Sequence, residues 1–332
     1  MSGIPRERRP GVRDVAQLAG VSTQTVSRVL NDYPGIRDDT RRRVLEAVTA
    51  LDYRVNNTAR ALGTRSTRTL GLIASNATLY GPSIAIEAVD AAARSAGRWV
   101  ATAYADAADP DSVDAAARHL SAQGVDGIVV LAAHVRTLIG ATSGAPGVRV
   151  GVLHDGVGAQ RQAEGAALAV EHLIALGHRR IAYVAGPADW LEAASREAGV
   201  RRALANSEYR WMGDWSAASG AILAPRIAAA IREPDGPTAI AVANDQMALG
   251  LSAALRELET ISPRDVSITG FDDNPDAGFY SPALTTVRLD IAGEARRVVA
   301  EILGQGADAM APAPAQLIVR ASTGPPRSPA SA

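Results

Sequence analysis

The chain has 332 residues, 47% hydrophobic and 21% charged, with a net charge of −1, an ordinary balance for a globular protein of two or three domains. It contains no Cys and no Lys, which excludes a disulfide framework, thiolate metal sites, a P-loop and lysine-based catalysis. No apolar run approaches the roughly 20 residues that span a bilayer, and the Arg-rich start lacks the apolar core of a secretory signal, so a cytoplasmic protein without membrane contact is expected.

The first segment is basic. Residues 1–68 hold 13 Arg against 7 acids, a charge of +6, while the remainder holds 21 Arg against 28 acids, or −7. Only the head suits a polyanion. Within it, Val15, Leu18 and Ala19 form one face of a short helix, and Gly20 stands where that helix should stop with positive φ. Val21 plugs the turn and Ser22 is a natural N-cap. Val26, Val29 and Leu30 repeat the apolar face in a second helix, and a third, about Asp38 to Leu51, closes the core. The second helix exposes Thr23, Gln24, Ser27, Arg28 and Asn31 and carries no acid. That is a helix-turn-helix with a DNA-reading face: Gln suits adenine, Arg suits guanine, and Ser, Thr and Asn suit phosphates. A merely solvated face would favour Glu.

The run DVAQLAGVSTQTVSRVLN resembles the signature of the LacI/GalR family of bacterial transcriptional repressors, and the similarity continues through TRRRV and ALDYRVN to the end of the chain. The resemblance implies that Thr23, Gln24 and Arg28 read major-groove bases. It has Ser22, Thr25, Ser27 and Asn31 hold the backbone, with Arg13 assisting. Residues NNTARALG (56–63) match the family's hinge helix, too short to persist alone in water. By the resemblance it folds when two copies pair over DNA, with Leu62 as a minor-groove wedge, Ala59 in support and Asn56 near a phosphate. Read without the resemblance, Leu62 is equally an ordinary linker residue.

From Thr69 apolar runs alternate with Ala-rich helices. Strands are expected at 69–75, 99–104, 127–131, 148–153, 180–186, 239–244, 266–271 and 285–289. Helices are expected at 83–96, 112–122, 164–176, 192–205, 217–232 and 245–259. Runs that are apolar throughout indicate parallel sheets covered on both faces, here two doubly wound lobes, and ligands in such sheets lie beyond the carboxyl ends of strands. Asn244 and Asp272 follow strands there and suit sugar hydroxyls, although a turn reading stays open for both. Asp245 is well placed simply to cap a helix. Trp215 offers a face for a sugar ring or packs a helix start. Arg196 could donate a fork of hydrogen bonds or be solvated.

The resemblance implies an all-α helix-turn-helix head on an α/β two-lobed body like a periplasmic binding protein. The expected domains are a head at 1–55, hinge and linker at 56–68, and an effector-binding and dimerisation body at 69–324. Lobe 1 takes about 69–156 and 290–312, lobe 2 about 157–288 and 313–324. The Pro- and Ser-rich 325–332 is expected to be a disordered tail. Several segments, among them GDWSAASG, AVANDQMALG and ITGFDDNPDAGFYSPALTTVR, are similar to galactoside-responsive members more than to purine-binding ones. That implies a sugar effector, a galactoside by preference, held by Arg196, Trp215, Asn244 and Asp272, with Leu79, Gly81 and Pro82 from the other lobe. The stretch after Leu153 is shorter than the family's and leaves the acidic ligand position open between His154 and Asp155; Asp155 is taken. Leu131, Leu289 and Ile291 also depart from the family's polar or aromatic groups.

The expected partners are pseudopalindromic double-stranded operator DNA, a small sugar and a second copy of the chain, since no leucine heptads follow to build a tetramer. No cofactor and no metal are expected, the five His lacking metal spacing. An effector of another kind, including a purine acting as co-repressor, is the alternative. No G-x-S-x-G, H-E-x-x-H or complete G-x-G-x-x-G occurs, so an enzyme is not expected. A periplasmic transport protein would suit the body but not the head.

Overall fold

The computed structural model describes residues 10–30, 33–53, 66–106, 109–131, 134, 137–204, 209–306 and 311–327. The chain divides into two compact units, Met1–Thr67 and Arg68–Ala332.

The first unit has three helices among its described residues: α1 (Val12–Ala19), α2 (Thr23–Leu30) and α3 (Asp38–Ala50). Gly20 ends α1 at φ 64°, ψ 38°, the left-handed turn that glycine adopts without steric cost. The Ser22 hydroxyl accepts from the Thr25 amide at 3.1 Å and so caps α2. Val15, Ala19, Val26, Val29, Val44 and Ala47 are buried together, each helix supplying the stripe its spacing presents. Leu18, expected on that buried face, is 55% exposed; Ala16 takes its place because an eight-residue helix turns only a narrow stripe inward.

The second unit contains two four-stranded parallel sheets. The first runs β2-β1-β3-β4, from β1 (Thr69–Ala74), β2 (Trp99–Tyr104), β3 (Gly127–Val130) and β4 (Val150–Val152). Its strands alternate in the face they present. Leu70, Leu72 and Val129 pack under α4 (Tyr80–Ser95) and α11 (Ile291–Leu303). Ile73, Ile128 and Val130 pack under α5 (Pro110–Ala122) and α6 (Thr137–Gly144). Both faces are covered, which is why the strands read as continuous apolar runs.

The second sheet runs β6-β5-β7-β8, from β5 (Ile181–Ala185), β6 (Arg210–Met212), β7 (Ala239–Val242) and β8 (Ser267–Thr269). The helices α7 (Val157–Ala175), α8 (Leu191–Ala203), α9 (Ala217–Arg232) and α10 (Asp245–Glu257) belong to this lobe. Strand β9 (Thr286–Arg288), expected at 285–289, pairs antiparallel with β10 (Gln316–Ile318), while Thr285 just before it bridges Thr269 of β8. Strands β6 and β10 are three residues long and carry exposed side chains, too little apolar pattern to be seen in sequence. Helix α7 begins seven residues before the expected 164. Gly158 sits inside it because any Cβ there would lie 1.9 Å from Glu294 Oε1, so a residue that weakens a helix pattern marks a close approach. The chain is held as far as Arg327, whose Nη2 donates to the Ile231 carbonyl, beyond the start expected for a disordered tail. Among the described residues no helix is long and apolar enough to cross a membrane.

Candidate functional sites: the exposed face of the head and the cleft of the body

On the head, Ser22, Thr23, Gln24, Ser27 and Arg28 are exposed along α2, and Arg13 is exposed on α1. The Arg28 guanidinium lies 5.9 Å from the Tyr33 ring, a contact that consumes none of its hydrogen-bond donors. Thr25 is half-buried and its hydroxyl lies 2.9 Å from that of Ser22, so it takes part in the cap. Asn31, Asn56, Ala59 and Leu62 lie outside the described residues.

In the body, the carboxyl ends of the strands from both lobes open on one cavity. Leu79, Gly81, Pro82 and Ala85 from the start of α4 line it with Leu131 and His154. The other lobe contributes Trp190, Glu192, Arg196, Trp215, Asn244, Gln246 and Asp272. Eight described non-glycine residues have φ in the left-handed region, and half of them (His154, Trp215, Asp272 and Asp273, at 65°, 75°, 106° and 48°) are at this cleft. Such strain, costing about 1–3 kcal/mol per residue, concentrates where function needs an unusual side-chain direction.

Arg196 is the centre of the cleft. It is only 6% exposed, and every arm of its fork is used. Nε donates to Gln162 Oε1 at 2.7 Å, Nη1 to the Ala243 carbonyl and Nη2 to Asp272 Oδ1 at 2.9 Å. Its guanidinium also lies 3.9 Å from the Phe271 ring centroid. The Trp215 indole lies over Gly186, where a Cβ would come within 2.2 Å of the ring. Trp190 meets Trp215 edge-on, their centroids 5.8 Å apart. The lobes touch through Tyr80 N donating to Gln246 Oε1 at 3.1 Å, and through His134 Nδ1 and Asp189 Oδ2 at 3.0 Å. A second chamber shares Gly81, His154, Arg196 and Asp272 with the first and adds Tyr80, Asp273, Arg288, Leu289 and Ile291.

Residues 12–56 match the bacterial regulatory proteins of the lacI family, and residues 170–323 match the periplasmic binding protein-like domain. The lactose operon repressor of Escherichia coli K12 is 33% identical over 296 residues, covering 83% of this chain and 79% of that protein. The chain belongs to the lacI family. Its members are regulators, so the chain is not an enzyme. The HTH-type transcriptional repressor PurR of Vibrio parahaemolyticus is 32% identical over 293 residues, covering 83% of this chain and 86% of its own length. Those two identities are nearly equal, so kinship does not set the galactoside-responsive members apart as the sequence segments suggested. The structure of a lac repressor dimer bound to operator and the anti-inducer ONPF superposes with a TM-score of 0.77. It is 29% identical and covers 96% of this chain and all of that one.

Within this lacI-family body, seven of the residues expected to hold an effector line one cavity: Leu79, Gly81, Pro82, Arg196, Trp215, Asn244 and Asp272. Asp155 does not. It is exposed and accepts from the Gly156 amide at 2.7 Å, because the left-handed turn at His154 swings it outward and leaves the imidazole facing the cleft. The roles of the neighbouring pair after β7 are also exchanged. Asn244 caps α10, accepting from the Met247 amide at 2.9 Å, while its Nδ2 donates to the Trp215 carbonyl at 2.9 Å and holds that strained residue in place. Asp245, expected as the cap, is buried and accepts from Thr286 Oγ1 at 2.6 Å and from the Asn274 amide at 2.7 Å. Trp190, Glu192 and Gln246 were not anticipated. The carboxyl-end rule pointed to their segments, but each sits at a helix start, where a capping or packing role explains it equally well. Leu131 lines the first chamber and Leu289 and Ile291 the second, so the apolar departures fall on the cleft itself. Among the described residues no cluster of His, Asp and Glu could hold a metal ion.

Two buried groups make stability fall with rising pH. Burial, then the charge of Asp272, push the Asp245 carboxyl from 3.8 up to about 8, against hydrogen bonds from Thr286 and Asn274. Burial disfavours the His154 imidazolium, but the charge and hydrogen bond of Glu294, with Nδ1 and Oε2 3.0 Å apart, more than offset it and hold His154 at about 9. Both folded values exceed the unfolded ones, so the folded state binds extra protons, from about pH 4 to 8 at Asp245 and from about 6.5 to 9 at His154. The melting temperature of the body is expected to fall steadily from pH 6 to pH 9, and Asp245→Asn should flatten the lower part of that slope. A melting temperature that climbs over the same range would contradict both assignments.

Proposed function

We propose that the protein is a repressor that binds pseudopalindromic operator DNA as a homodimer in the cytoplasm and releases it when a small sugar enters the cleft. The observation that carries this reading is the acid-free, exposed face of α2 on a lacI-family head, with Thr23, Gln24 and Arg28 able to reach base edges and Arg13, Ser22 and Ser27 near the backbone. Asn31, Thr25 and the hinge residues Asn56, Ala59 and Leu62 complete the proposed DNA contacts. The proposed domains are head 1–55, hinge 56–68, body 69–324 and a tail from 325, with Arg327 still held to the body. A dimer is needed because one short helix reads few base pairs and paired half-sites multiply specificity. The lac repressor dimer on its operator supplies the precedent.

A galactoside is our preferred effector, bound by Arg196, Trp215, Asn244 and Asp272 from one side and Leu79, Gly81 and Pro82 from the other. For the sugar to induce, it must prefer the conformation that does not bind DNA, and operator must reciprocally weaken sugar binding. The second reading is an effector of another class, a different sugar or a purine acting as co-repressor. It is favoured by the 32% identity to the repressor PurR.

The operator is obtained by selecting bound sequences from a random duplex pool. On that operator, Arg28→Ala is expected to cost about 1–3 kcal/mol, roughly 5- to 150-fold in affinity, and to relax the preference at one base pair per half-site. Equal affinity of this variant for selected and random DNA at matched salt, with the unmodified protein showing the same, would dismiss sequence-specific binding. Saturating galactosides that leave the anisotropy titration unchanged would dismiss induction by that class.

A further inference from the structure

Two ion pairs close charged groups around the first cavity. Arg196 is closed by Asp272 at 2.9 Å, and His154 by Glu294 at 3.0 Å. Glu192, in the first turn of α8, lines the same cavity and is only 7% exposed. It has no ion pair among the described residues, and its Oε2 has no hydrogen-bond partner. A buried carboxylate without a counterion is costly and persists where something outside the chain completes it. On the same cavity, the buried Trp215 Nε1 also lacks an acceptor among the described residues. Trp190 and Trp215, their planes 64° apart, complete that corner of the cavity with two aromatic surfaces.

Resting on the reading of the cleft as the effector site, we infer that the effector is a sugar bearing a protonated primary amine, its ammonium held by Glu192 beside Trp190 and Trp215. An oxygen of the same ring would accept from Trp215 Nε1. A neutral hydroxyl could donate to Glu192 but would leave its negative charge buried and unbalanced, whereas an ammonium donates and neutralises together. The Trp190 ring adds attraction for a cation and none for a neutral group of the same size, while the Trp215 ring already has the Arg196 guanidinium 5.3 Å from its centroid. Arg196 is no counterion for Glu192, since its charge is already paired with Asp272 at 2.9 Å.

The test uses the intact protein and its own fluorescence, because two of the four Trp residues stand in the cavity. Galactosamine, glucosamine and mannosamine are titrated at pH 6.5 beside their parent sugars and their N-acetyl derivatives. At least one amino sugar is expected to bind ten-fold or more tightly than both neutral counterparts. Glu192→Gln should erase that difference while leaving the melting temperature near that of the unmodified protein. Parent or N-acetyl sugars that bind as well as the amine would overturn the inference and leave the sugar reading standing. Binding of a simple alkylammonium ion with no response to any sugar would overturn the sugar reading, and the amino-sugar inference with it. Silence towards the whole panel would overturn both. Should Glu192→Gln not fold, the comparison of each amino sugar with its N-acetyl derivative on the unmodified chain decides alone.

Discussion

Arg196→Met is expected to destabilise the body by about 3–5 kcal/mol and to abolish its response to effector. The methionine keeps the bulk and the contact with Phe271, so the loss isolates the charge. It strands Asp272 Oδ1, Gln162 Oε1 and the Ala243 carbonyl, all of which now receive a guanidinium donor. Burial already raises the Asp272 carboxyl above its usual range even with Arg196 beside it. Without the cation that carboxyl must take up a proton or leave the cleft. Removing both partners should therefore cost less than removing one, and Arg196→Met with Asp272→Asn is expected to recover at least half of the lost stability. Denaturant unfolding followed by Trp fluorescence reads this directly, because Trp99, Trp190, Trp211 and Trp215 are all in the body. A single-variant loss below about 1 kcal/mol would mean that solvent, and not the fork, satisfies these groups.

Gly250→Ala is expected to cost about 2 kcal/mol or more, for a different reason. Helices α9 and α10 meet backbone to backbone. A Cβ at Gly250 would lie 1.7 Å from the Ala217 carbonyl oxygen, and one at Gly220 would lie 2.1 Å from that of Met247. Alanine is the better helix former by about 1 kcal/mol, so propensity alone predicts stabilisation. Overpacking against a backbone carbonyl, which cannot rotate away, outweighs that gain. The two helices must separate, and they carry the cleft with them, since Trp215 precedes α9 and Asn244 caps α10. Weaker effector binding should accompany the lower melting temperature. Gly278→Ala is the control: its nearest neighbour, Arg320 Nε, is 3.7 Å away, and its effect should stay within about 0.5 kcal/mol. Equal melting temperatures for the two variants would disprove the close crossing.

The cleft shows how far pattern carries and where it stops. The rule that parallel sheets place ligands after strands pointed to Asn244 and Asp272, whereas Arg196 and Trp215 stayed open until the family resemblance singled them out; all four line the cavity. Glu192 and Trp190, on the same cavity wall, were passed over. A Glu at a helix start is ordinary in composition, and its missing counterion is visible only once Arg196 and His154 are seen committed elsewhere.

The helix-turn-helix and the two covered sheets were determined by the sequence alone, because their causes are local. An i, i+3, i+4 stripe, a glycine at a helix end, a serine cap and an alternation of apolar runs each act within a few residues. Only the tertiary structure decided that His154 and not Asp155 faces the cleft, that Asn244 rather than Asp245 caps its helix, and that Glu192 lacks a partner. Each of those outcomes turns on groups distant along the chain: Glu294 140 residues from His154, Thr286 41 from Asp245, and Asp272 76 from Arg196. Burial and pairing are set by such neighbours, and no local period records them.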